Sequence, residues 1–530
     1  MKHPSKRELP SPDTVISRLW ARIPNYIRLT FVSAFVLGLI THLYQFTNKL
    51  PNHDDIGHLF IGGYGTASGR WLLPTILELD GNFSIPWLIG VLALIGLALT
   101  ACFTVSLLRI RSPLCCIVTA GLLVSFPTVA ATFSYMFTSD AYFLSLALAA
   151  FGAYAAVRFR SWPGVALGAV AVAASMGIYQ SYFGVAAVLM VGALIFETLD
   201  GQRSFRELVW TGIQRVCALG GGMALYMLMV KWTTRDIPLV DYMGISSMGS
   251  LSLRQLPGLI LKSYAKYFTY FWRNDAGHHP GFLRHLFLLT GLCTAGILVL
   301  ILWKKKLGWL RTALAAILVV LYPLAGNIIY VMVAGGGVHH LMIYGLVFLL
   351  IAPVALFDYM SGADPAPAPA QRSLCSLAGW IILLSMAVTS YSYMVLDNQA
   401  YLKLQLSYEQ NLSYSTRLLS AIESCEGYHR GMPVALVGSS VRDAALNPTP
   451  QLDKIQMIGV FSLADYRTNY TYGHFLRYFL GYTDPVYLDG SEVVSGMASL
   501  PQVQAMPTYP EAGSIQVIDN TVVVKLNALQ

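Results

Sequence analysis

The sequence predicts a polytopic α-helical membrane protein that carries a small α/β domain outside the membrane. Of its 530 residues, 55% are hydrophobic and only 12% are charged, and the mean hydropathy is +0.56. Soluble globular chains carry roughly 25% charged residues, so this composition indicates a membrane protein. About eleven apolar runs are long enough to cross a bilayer. A more polar segment follows them, and its pattern is that of strands and short helices.

Residues 1–25 are polar and basic, without an apolar core or a small-residue cleavage site, so we expect a cytoplasmic tail and an uncleaved first helix. The transmembrane domain is predicted over residues 26–396. Its spans are predicted near residues 26–46, 86–108, 112–133, 140–157, 163–180, 182–198, 208–230, 284–303, 309–333, 338–357 and 374–396.

Lys and Arg residues are confined to alternate short loops, which predicts the orientation of the chain in the membrane. The opposite short loops, around Asp140, Tyr179 and residues 335–340, contain none. A cytoplasmic N-terminus then places three regions outside, namely the loops 47–85 and 231–283 and the domain 397–530. The basic loops hold Arg109 with Arg111, Arg158 with Arg160, Arg203 with Arg206, Lys304 to Lys306 with Arg311, and Arg372.

The C-terminal region 397–530 has the pattern of a small α/β domain. Residues 432–438 are typical of a buried strand that ends in a turn, and residues 514–526 predict a hairpin that turns at Asp519-Asn520. The aromatic-rich stretch 466–475 would either stack on sugar rings or form the core of the domain.

Composition also excludes some functions. The net charge of +8 is not arranged in a basic stripe with a nucleic-acid-binding motif, so we expect no nucleic-acid partner. None of the seven cysteines forms a zinc-type spacing with histidine, and Cys425 alone lies clearly in an outer segment. No metal site is predicted. No cofactor is required by the sequence, and a divalent metal is a possibility that no motif supports.

Asp54 and Asp55 follow the first predicted span directly, and an acidic pair at a membrane surface indicates a functional site. A reaction there, away from cytosolic nucleotides, needs an activated substrate that the membrane delivers, such as a lipid-phosphate sugar. The protein must then supply a base for the acceptor hydroxyl and cations for the phosphate leaving group. The alternative is a solvated loop or a helix cap.

Further candidates for substrate binding lie in the same predicted outer loops. Arg70 offers a planar fork to phosphate oxygens, or pairs with Glu78 or Asp80 at the surface. Asp140 either caps a helix or faces the site as a second carboxylate. Tyr179 and Gln180 would bind sugar hydroxyls or satisfy helix ends.

Residues 257–272 mix aliphatic, aromatic and lysine side chains, as an interfacial helix does. Its cations and the histidines near it are candidates for contact with the lipid phosphate, which we favour over a metal site because exposed imidazoles suit Mg²⁺ or Mn²⁺ poorly. Exposed histidines without a role are the alternative. These candidates are Lys262, Lys266, Arg273, His278, His279, His339 and His340.

Four segments, in order, resemble the Gtr type II family of serotype-converting glucosyltransferases of bacteria and their phages, which is similar in turn to the GT-C superfold of polyprenyl-phosphate-dependent glycosyltransferases. The resemblance is clearest over residues 30–360. It is carried by Asp54-Asp55, Gly69-Arg70-Trp71-Leu72, residues 133–142 (FSYMFTSDAY) and residues 177–182 (GIYQSY).

This resemblance implies a GT-C-like membrane glycosyltransferase, with inversion expected, in a bacterial inner membrane. A hexose, typically glucose, would move from undecaprenyl phosphate to a surface polysaccharide such as lipopolysaccharide O-antigen, on the periplasmic face. The acidic residue of the first outer loop acts as the base or orients the acceptor in such enzymes, a role that would fall to Asp54 or Asp55. The partners implied are a polyprenyl-phosphate sugar donor, a polysaccharide acceptor and membrane lipid.

A transporter or flippase of lipid-linked sugar or polysaccharide is the alternative function. It should hide ionisable residues near the bilayer midplane and often shows inverted repeats, whereas here the charges gather at one face and no repeat is found. A phosphoethanolamine- or acyl-type transferase would need a nucleophile or metal constellation, and none is found.

Overall fold

The computed structural model describes residues 11–60, 65–239, 254–274, 279–333, 336–362, 369–439, 450–458, 463–468 and 471–527. The chain begins with the amphipathic helix α1 (Pro12–Arg22), which Ser11 caps through its side chain. Pro24 then separates it from α2 (Asn25–Thr47), the first predicted span. An N-terminal proline suits this position because the first turn of a helix needs no backbone donor.

The bundle continues through fifteen further helices of very different lengths. Short helices form the outer loops, and long apolar helices form the bundle. In chain order the helices are α3 (His53–Gly57), α4 (Leu73–Leu77), α5 (Pro86–Leu107), α6 (Pro113–Ser125), α7 (Pro127–Phe133), α8 (Ser139–Arg158), α9 (Trp162–Ile178), α10 (Phe183–Asp200), α11 (Phe205–Thr233), α12 (Leu256–Phe268), α13 (Leu283–Lys305), α14 (Trp309–Gly326), α15 (Ile329–Met332), α16 (Val347–Ser361) and α17 (Pro369–Glu423).

Every predicted apolar run contains a helix. In the part of the chain that the structure describes, nine helices are long and apolar enough to cross a membrane, and α6 with α7 makes a tenth candidate. The remaining run is α9, which has 17 residues. The chain is therefore a multi-pass membrane protein by length and composition, and the number of crossings stays a prediction.

The bend between α6 and α7 has a local cause. The two helices meet at 44°, and Phe126 between them is extended, with φ −62° and ψ 130°. A residue that precedes proline is pushed out of the helical region by the proline ring, and Pro127 also lacks a backbone donor. Every residue of α7 is buried, so the bend directs a short buried helix toward residues 134–139.

The basic loops predicted to lie on one side meet at one end of the bundle. Arg109 pairs with Asp200, Arg203 pairs with Glu197 at 3.4 Å, and Arg311 donates to the carbonyl of Gly201 at 2.7 Å. The predicted outer loops meet at the other end, where the Leu72 N–H donates to the Gly177 carbonyl at 2.8 Å. The grouping agrees with the predicted alternation, and the side that each end faces stays a prediction.

The longest helix, α17, runs past the predicted domain boundary at residue 396 without a break. It continues to Glu423, so its second half belongs to the C-terminal domain. Leu404, Leu418 and Ile422 are buried there, in the same apolar cluster as Val434 and Val522. The predicted border between the two domains therefore falls within a helix that both share.

A four-stranded sheet forms the centre of the C-terminal domain. Its strands are β1 (Val434–Val437), β2 (Val486–Tyr487), β3 (Ile515–Ile518) and β4 (Thr521–Lys525), in the order β2-β1-β4-β3. β1 is parallel to β2 and β4, whereas β3 is antiparallel to β4. The hairpin turns at Asp519-Asn520, as predicted, with φ values of 48° and 58°. The sheet is flanked by α18 (Tyr472–Leu480), α19 (Glu492–Ser499) and α20 (Pro501–Ala505).

The described tyrosine and phenylalanine rings of the aromatic stretch 466–475 belong to the domain core. Tyr466, Tyr472 and Phe475 are each 0% exposed, and the Tyr466 hydroxyl donates to the carbonyl of Pro51 at 3.2 Å. These rings cannot stack on a sugar. They join the C-terminal domain to the first outer loop.

Reporter fusions test the orientation of the chain. A reporter inserted in residues 363–370 and one fused after Gln530 should mark opposite sides of the membrane, because a single long helix, α17, separates the two positions. The activity of two reporters is measured at each position, one active only in the cytoplasm and one active only outside it. The same side for both fusions would contradict the predicted topology.

Candidate active site

The two aspartates of the first outer loop have different surroundings, although they are adjacent on α3. The Asp55 side chain is 1% exposed. One of its oxygens accepts from Lys49 Nζ at 2.7 Å, and the other accepts from Ser84 Oγ at 2.6 Å and from the Phe137 N–H at 3.1 Å. Asp55 thus joins the end of α2, the start of α5 and the loop before α8.

The Asp54 carboxylate is 25% exposed, and its Oδ1 lies 3.6 Å from Nε2 of His53. The main chain around it is braced by aromatic contacts. His58 Nδ1 bonds to the Asp54 carbonyl at 2.8 Å, and the His58 ring stacks on Phe137 with centroids 4.5 Å apart. Asp54 is therefore held by its backbone while its carboxylate faces a half-buried space.

His339 lies within electrostatic reach of Asp54, His53 and Arg70. Burial lowers the pKa of the His339 imidazole, the negative charge of Asp54 raises it in part, and His53 and Arg70 lower it. Residues that are far apart in sequence therefore share one site. The next residue, His340, has its ring 6.2 Å from that of Tyr270.

Arg70 is buried, at 7% exposed, which does not fit the alternative of a surface ion pair. Its Nη1 donates to the Tyr142 hydroxyl at 2.7 Å. The guanidinium also lies 5.2 Å from the centre of the Tyr179 ring, and Tyr179 stacks on Tyr142 at 4.2 Å. Two stacked tyrosines thus fix the orientation of the cation.

Gln180 supports the loop that carries Arg70. Its Nε2 donates to the Ser68 carbonyl at 2.9 Å and to the Tyr226 hydroxyl at 3.0 Å. Gly69 adopts a φ of +72°, and a Cβ there would come within 2.8 Å of the Tyr226 hydroxyl, so glycine is required. These contacts favour a supporting role for Gln180 over direct binding of sugar.

Asp140 is 8% exposed, and its Oδ1 accepts from the Ala141 N–H at 2.7 Å. Asp140 lies in the first turn of α8, but the N-cap of that helix is Thr138, so Asp140 is not the cap that the alternative predicted. The negative charge of Asp80 is close enough to act on the Asp140 carboxyl group. The structure therefore places Asp140 beside Asp80.

The three predicted cations of the second outer loop lie on one continuous helical segment. Lys262 and Lys266 are on α12, and Arg273 ends the π-helical turn Thr269–Arg273 that follows it. Within the described ranges no hydrogen bond or ion pair joins Lys262 or Lys266 to Asp54, Arg70 or His339. Their contact with a lipid phosphate stays a prediction.

His279 is only 3% exposed. The expectation that His278 and His279 are both exposed is therefore wrong for His279. Its Nε2 bonds to the Tyr270 carbonyl at 2.9 Å and its Nδ1 to the Pro280 carbonyl at 3.1 Å. Both ring nitrogens are thus engaged by main chain, and His279 braces the π-helical turn. Its predicted neighbour, His278, lies outside the described residues.

Two adjoining apolar cavities lie between α10, α12, α13, α14 and α16. Their volumes are about 340 Å³ and 200 Å³, and Tyr267, Gly291, Leu349 and Pro353 line both. We call them together the intramembrane groove. Leu108 and Leu356 line one end, and Phe271 and Phe287 line the other. Phe271 follows Tyr270 in the chain, and the Tyr270 ring stacks on that of His340, so this end of the groove lies next to the segment that carries His339 and His340.

No group of three or more His, Cys, Asp or Glu residues suited to a metal ion occurs among the described residues.

The sequence did not point to several residues that hold the site together. Lys49 and Ser84 bind Asp55, Tyr142 binds Arg70, and Tyr226 binds Gln180. Of these residues, only Tyr142 lies in one of the four segments that resemble the Gtr type II family, and that resemblance could have indicated it.

Comparison with protein families gives one match that covers more than half of the chain. The family model described as Glucosyl transferase GtrII matches residues 43–350, a range that holds Asp54, Arg70, His339 and most of the intramembrane groove. Comparisons with curated proteins and with solved structures gave no match. The chain therefore belongs to the glucosyl transferase GtrII family, as the four resembling segments predicted.

Proposed function

We propose that this membrane glycosyltransferase moves glucose from polyprenyl-phosphate glucose to a surface polysaccharide such as lipopolysaccharide O-antigen. The reaction takes place on the outer face of the bacterial inner membrane, in a GT-C-like bundle. One observation carries the proposal: a partly exposed carboxylate, a buried arginine and a histidine lie within electrostatic reach of one another, and an intramembrane groove leads toward the segment beside that histidine. A lipid-linked sugar phosphate needs these features together.

Asp54 is the base that accepts the proton of the attacking acceptor hydroxyl. Its carboxylate is partly accessible, whereas that of Asp55 already accepts three hydrogen bonds and is almost fully buried. A base must come within hydrogen-bond distance of the proton it removes. Asp55 is the positioning residue, because it fixes α3 against α5 and the loop before α8.

Arg70 and His339 bind the phosphate that leaves with the lipid. A guanidinium stabilises the charge that develops on phosphate oxygens, and its effect is larger in a buried site. The stacked pair Tyr142 and Tyr179 holds Arg70 in place before the donor arrives. Lys262, Lys266 and Arg273 add positive charge on the same predicted face, which attracts an anionic lipid head group.

The intramembrane groove suits the prenyl chain of the donor. Its walls are aliphatic and aromatic, and it extends from Leu356 to Phe287 along the bundle. An apolar tail in this groove brings its phosphate toward the end where Tyr270 and His340 lie. The transporter alternative gains no support from the buried charges of α10 and α11, because Glu197 and Arg215 pair with each other at 2.7 Å.

A donor comparison tests this function. Purified wild-type protein in detergent is given the acceptor polysaccharide with glucose carried either by polyprenyl phosphate or by a nucleoside diphosphate. We expect transfer from the lipid donor only. Detergent removes the sealed compartment, so transport cannot imitate the signal. Transfer from the nucleotide donor would contradict the proposed donor, and no transfer from either would favour the transporter.

Replacement of Arg70 tests the phosphate role. Arg70→Lys keeps the charge but loses the planar fork and the stacking on tyrosine, so we expect the kcat/KM for the lipid donor to fall by about 10²-fold. Tyr142→Phe, which removes only the hydroxyl that holds Nη1, should cost about tenfold. Steady-state kinetics with varied donor make the measurement. Wild-type kinetics for Arg70→Lys would remove Arg70 from the site.

A further inference from the structure

An exposed aromatic cluster lies beside the candidate site, where the first outer loop meets the C-terminal domain. Phe60 is 52% exposed, Phe83 is 50% exposed and Tyr478 is 39% exposed. The Phe60 ring meets those of Phe83 and Tyr478 edge-on, with centroids 5.7 Å and 5.0 Å away. His474 stacks on Tyr478 at 5.5 Å. These four residues form the outer aromatic cluster.

The sequence of α18 explains why half of this cluster faces outward. The helix buries Tyr472, Phe475 and Leu476 in the domain core. Positions 474 and 478 are one helical turn apart on the opposite face, and Arg477 beside them is exposed. The helix therefore presents an aromatic ring, an imidazole and a guanidinium together, while its other face holds the domain to the bundle.

The outer aromatic cluster adjoins the segment that carries Asp54, because Phe60 follows His58 and Leu59 in the chain. His58, whose Nδ1 bonds to the Asp54 carbonyl, lies within electrostatic reach of His474. Burial lowers the pKa of His474, and the charges of Arg477 and His58 lower it further. A bound chain that crosses Tyr478 and Phe60 would thus lead directly to the residues around Asp54.

We propose that the outer aromatic cluster binds the acceptor polysaccharide and directs one of its hydroxyls to Asp54. Exposed rings flanked by hydrogen-bond donors match the chemistry of sugars, whose apolar C–H faces stack on rings while their hydroxyls bond to Arg and His. A membrane surface fits less well, because Tyr478 and Arg477 come from the C-terminal domain. This inference rests on the proposed function, which supplies the acceptor.

Polysaccharide binding by variants of Tyr478 tests the proposal. The probe is surface polysaccharide, freed of lipid, from cells that lack this protein, and the full-length protein is held in lipid nanodiscs. We expect Tyr478→Ala to weaken binding about tenfold, because the stacking surface is lost. Tyr478→Phe keeps the ring and should bind within about twofold of wild type. The KM for the lipid donor should not change.

The outcomes separate this inference from the proposed function. Asp54→Asn should bind the polysaccharide like wild type while transferring no sugar, and an unchanged melting temperature of Tyr478→Ala shows that the fold is intact. Wild-type binding by Tyr478→Ala, or no binding by wild type, would overturn the acceptor site. Failure of wild type to transfer sugar would concern the proposed function instead.

Discussion

Asp54→Asn is expected to abolish sugar transfer while leaving the protein folded, whereas Asp55→Asn is expected to destabilise it. A general base contributes about 10²–10⁴-fold to the rate, and asparagine cannot accept the proton. At position 55 the loss is structural. The amide of asparagine would present a donor to Lys49 Nζ or to Ser84 Oγ and Phe137 N–H, which now bond to carboxylate oxygens.

Turnover and thermal unfolding, measured on both variants in the same detergent, separate these effects. An unsatisfied buried group costs about 1–3 kcal/mol, so the melting temperature of Asp55→Asn should fall clearly below that of wild type. Asp54→Asn should melt like wild type, because its carboxylate is partly exposed. Full turnover by Asp54→Asn with a loss confined to Asp55→Asn would reverse the assignment of the base.

Gly291→Trp should block the intramembrane groove. Gly291 lines both cavities, and a Cβ there meets no atom within 4 Å, so the indole enters the groove without displacing packed side chains. We expect the KM for a long-chain polyprenyl donor to rise at least about tenfold, because a remote binding contact is lost. Donors with one or two isoprene units should be affected less.

Gly296→Trp is the matched control. Gly296 lies on the same helix, α13, is exposed like Gly291, and its Cβ also meets no atom within 4 Å, yet it lines neither cavity. Its kinetics should match wild type with every donor. Equal effects of the two tryptophans, or no effect of Gly291→Trp on long-chain donors, would show that the prenyl chain lies elsewhere.

The sequence predicts the helices of the bundle and the hairpin at Asp519-Asn520 well, because apolar run length and turn chemistry are local signals. It predicts the length of α17 poorly. The composition becomes polar after residue 396, which suggests a boundary, but residues 380–423 contain no glycine or proline. No helix-breaking residue ends α17 at residue 396. The lack of glycine and proline was therefore the feature of the sequence that indicated a longer helix.

The sequence draws attention to residues of the candidate site but does not show the contacts that each of them makes. The acidic pair and Arg70 stand out as charges beside an apolar run, but the difference between Asp54 and Asp55 depends on Ser84 and Phe137, which are 29 and 82 residues from Asp55. Tertiary contacts of this kind leave no local pattern. The same holds for His279, which is buried and bonds to the main chain of the π-helical turn through Tyr270 and to the carbonyl of Pro280.

The measurement that tests the central claim most directly is the anomeric configuration of the product. Wild-type protein and Asp54→Asn in detergent are given polyprenyl-phosphate glucose, labelled at C1, and acceptor polysaccharide, and the new linkage is read by nuclear magnetic resonance. A hydroxyl activated by Asp54 attacks C1 directly and displaces the lipid phosphate in one step, which inverts the configuration. We predict an inverted product from wild type and none from Asp54→Asn. Retention of configuration, or equal product from both proteins, would contradict the account.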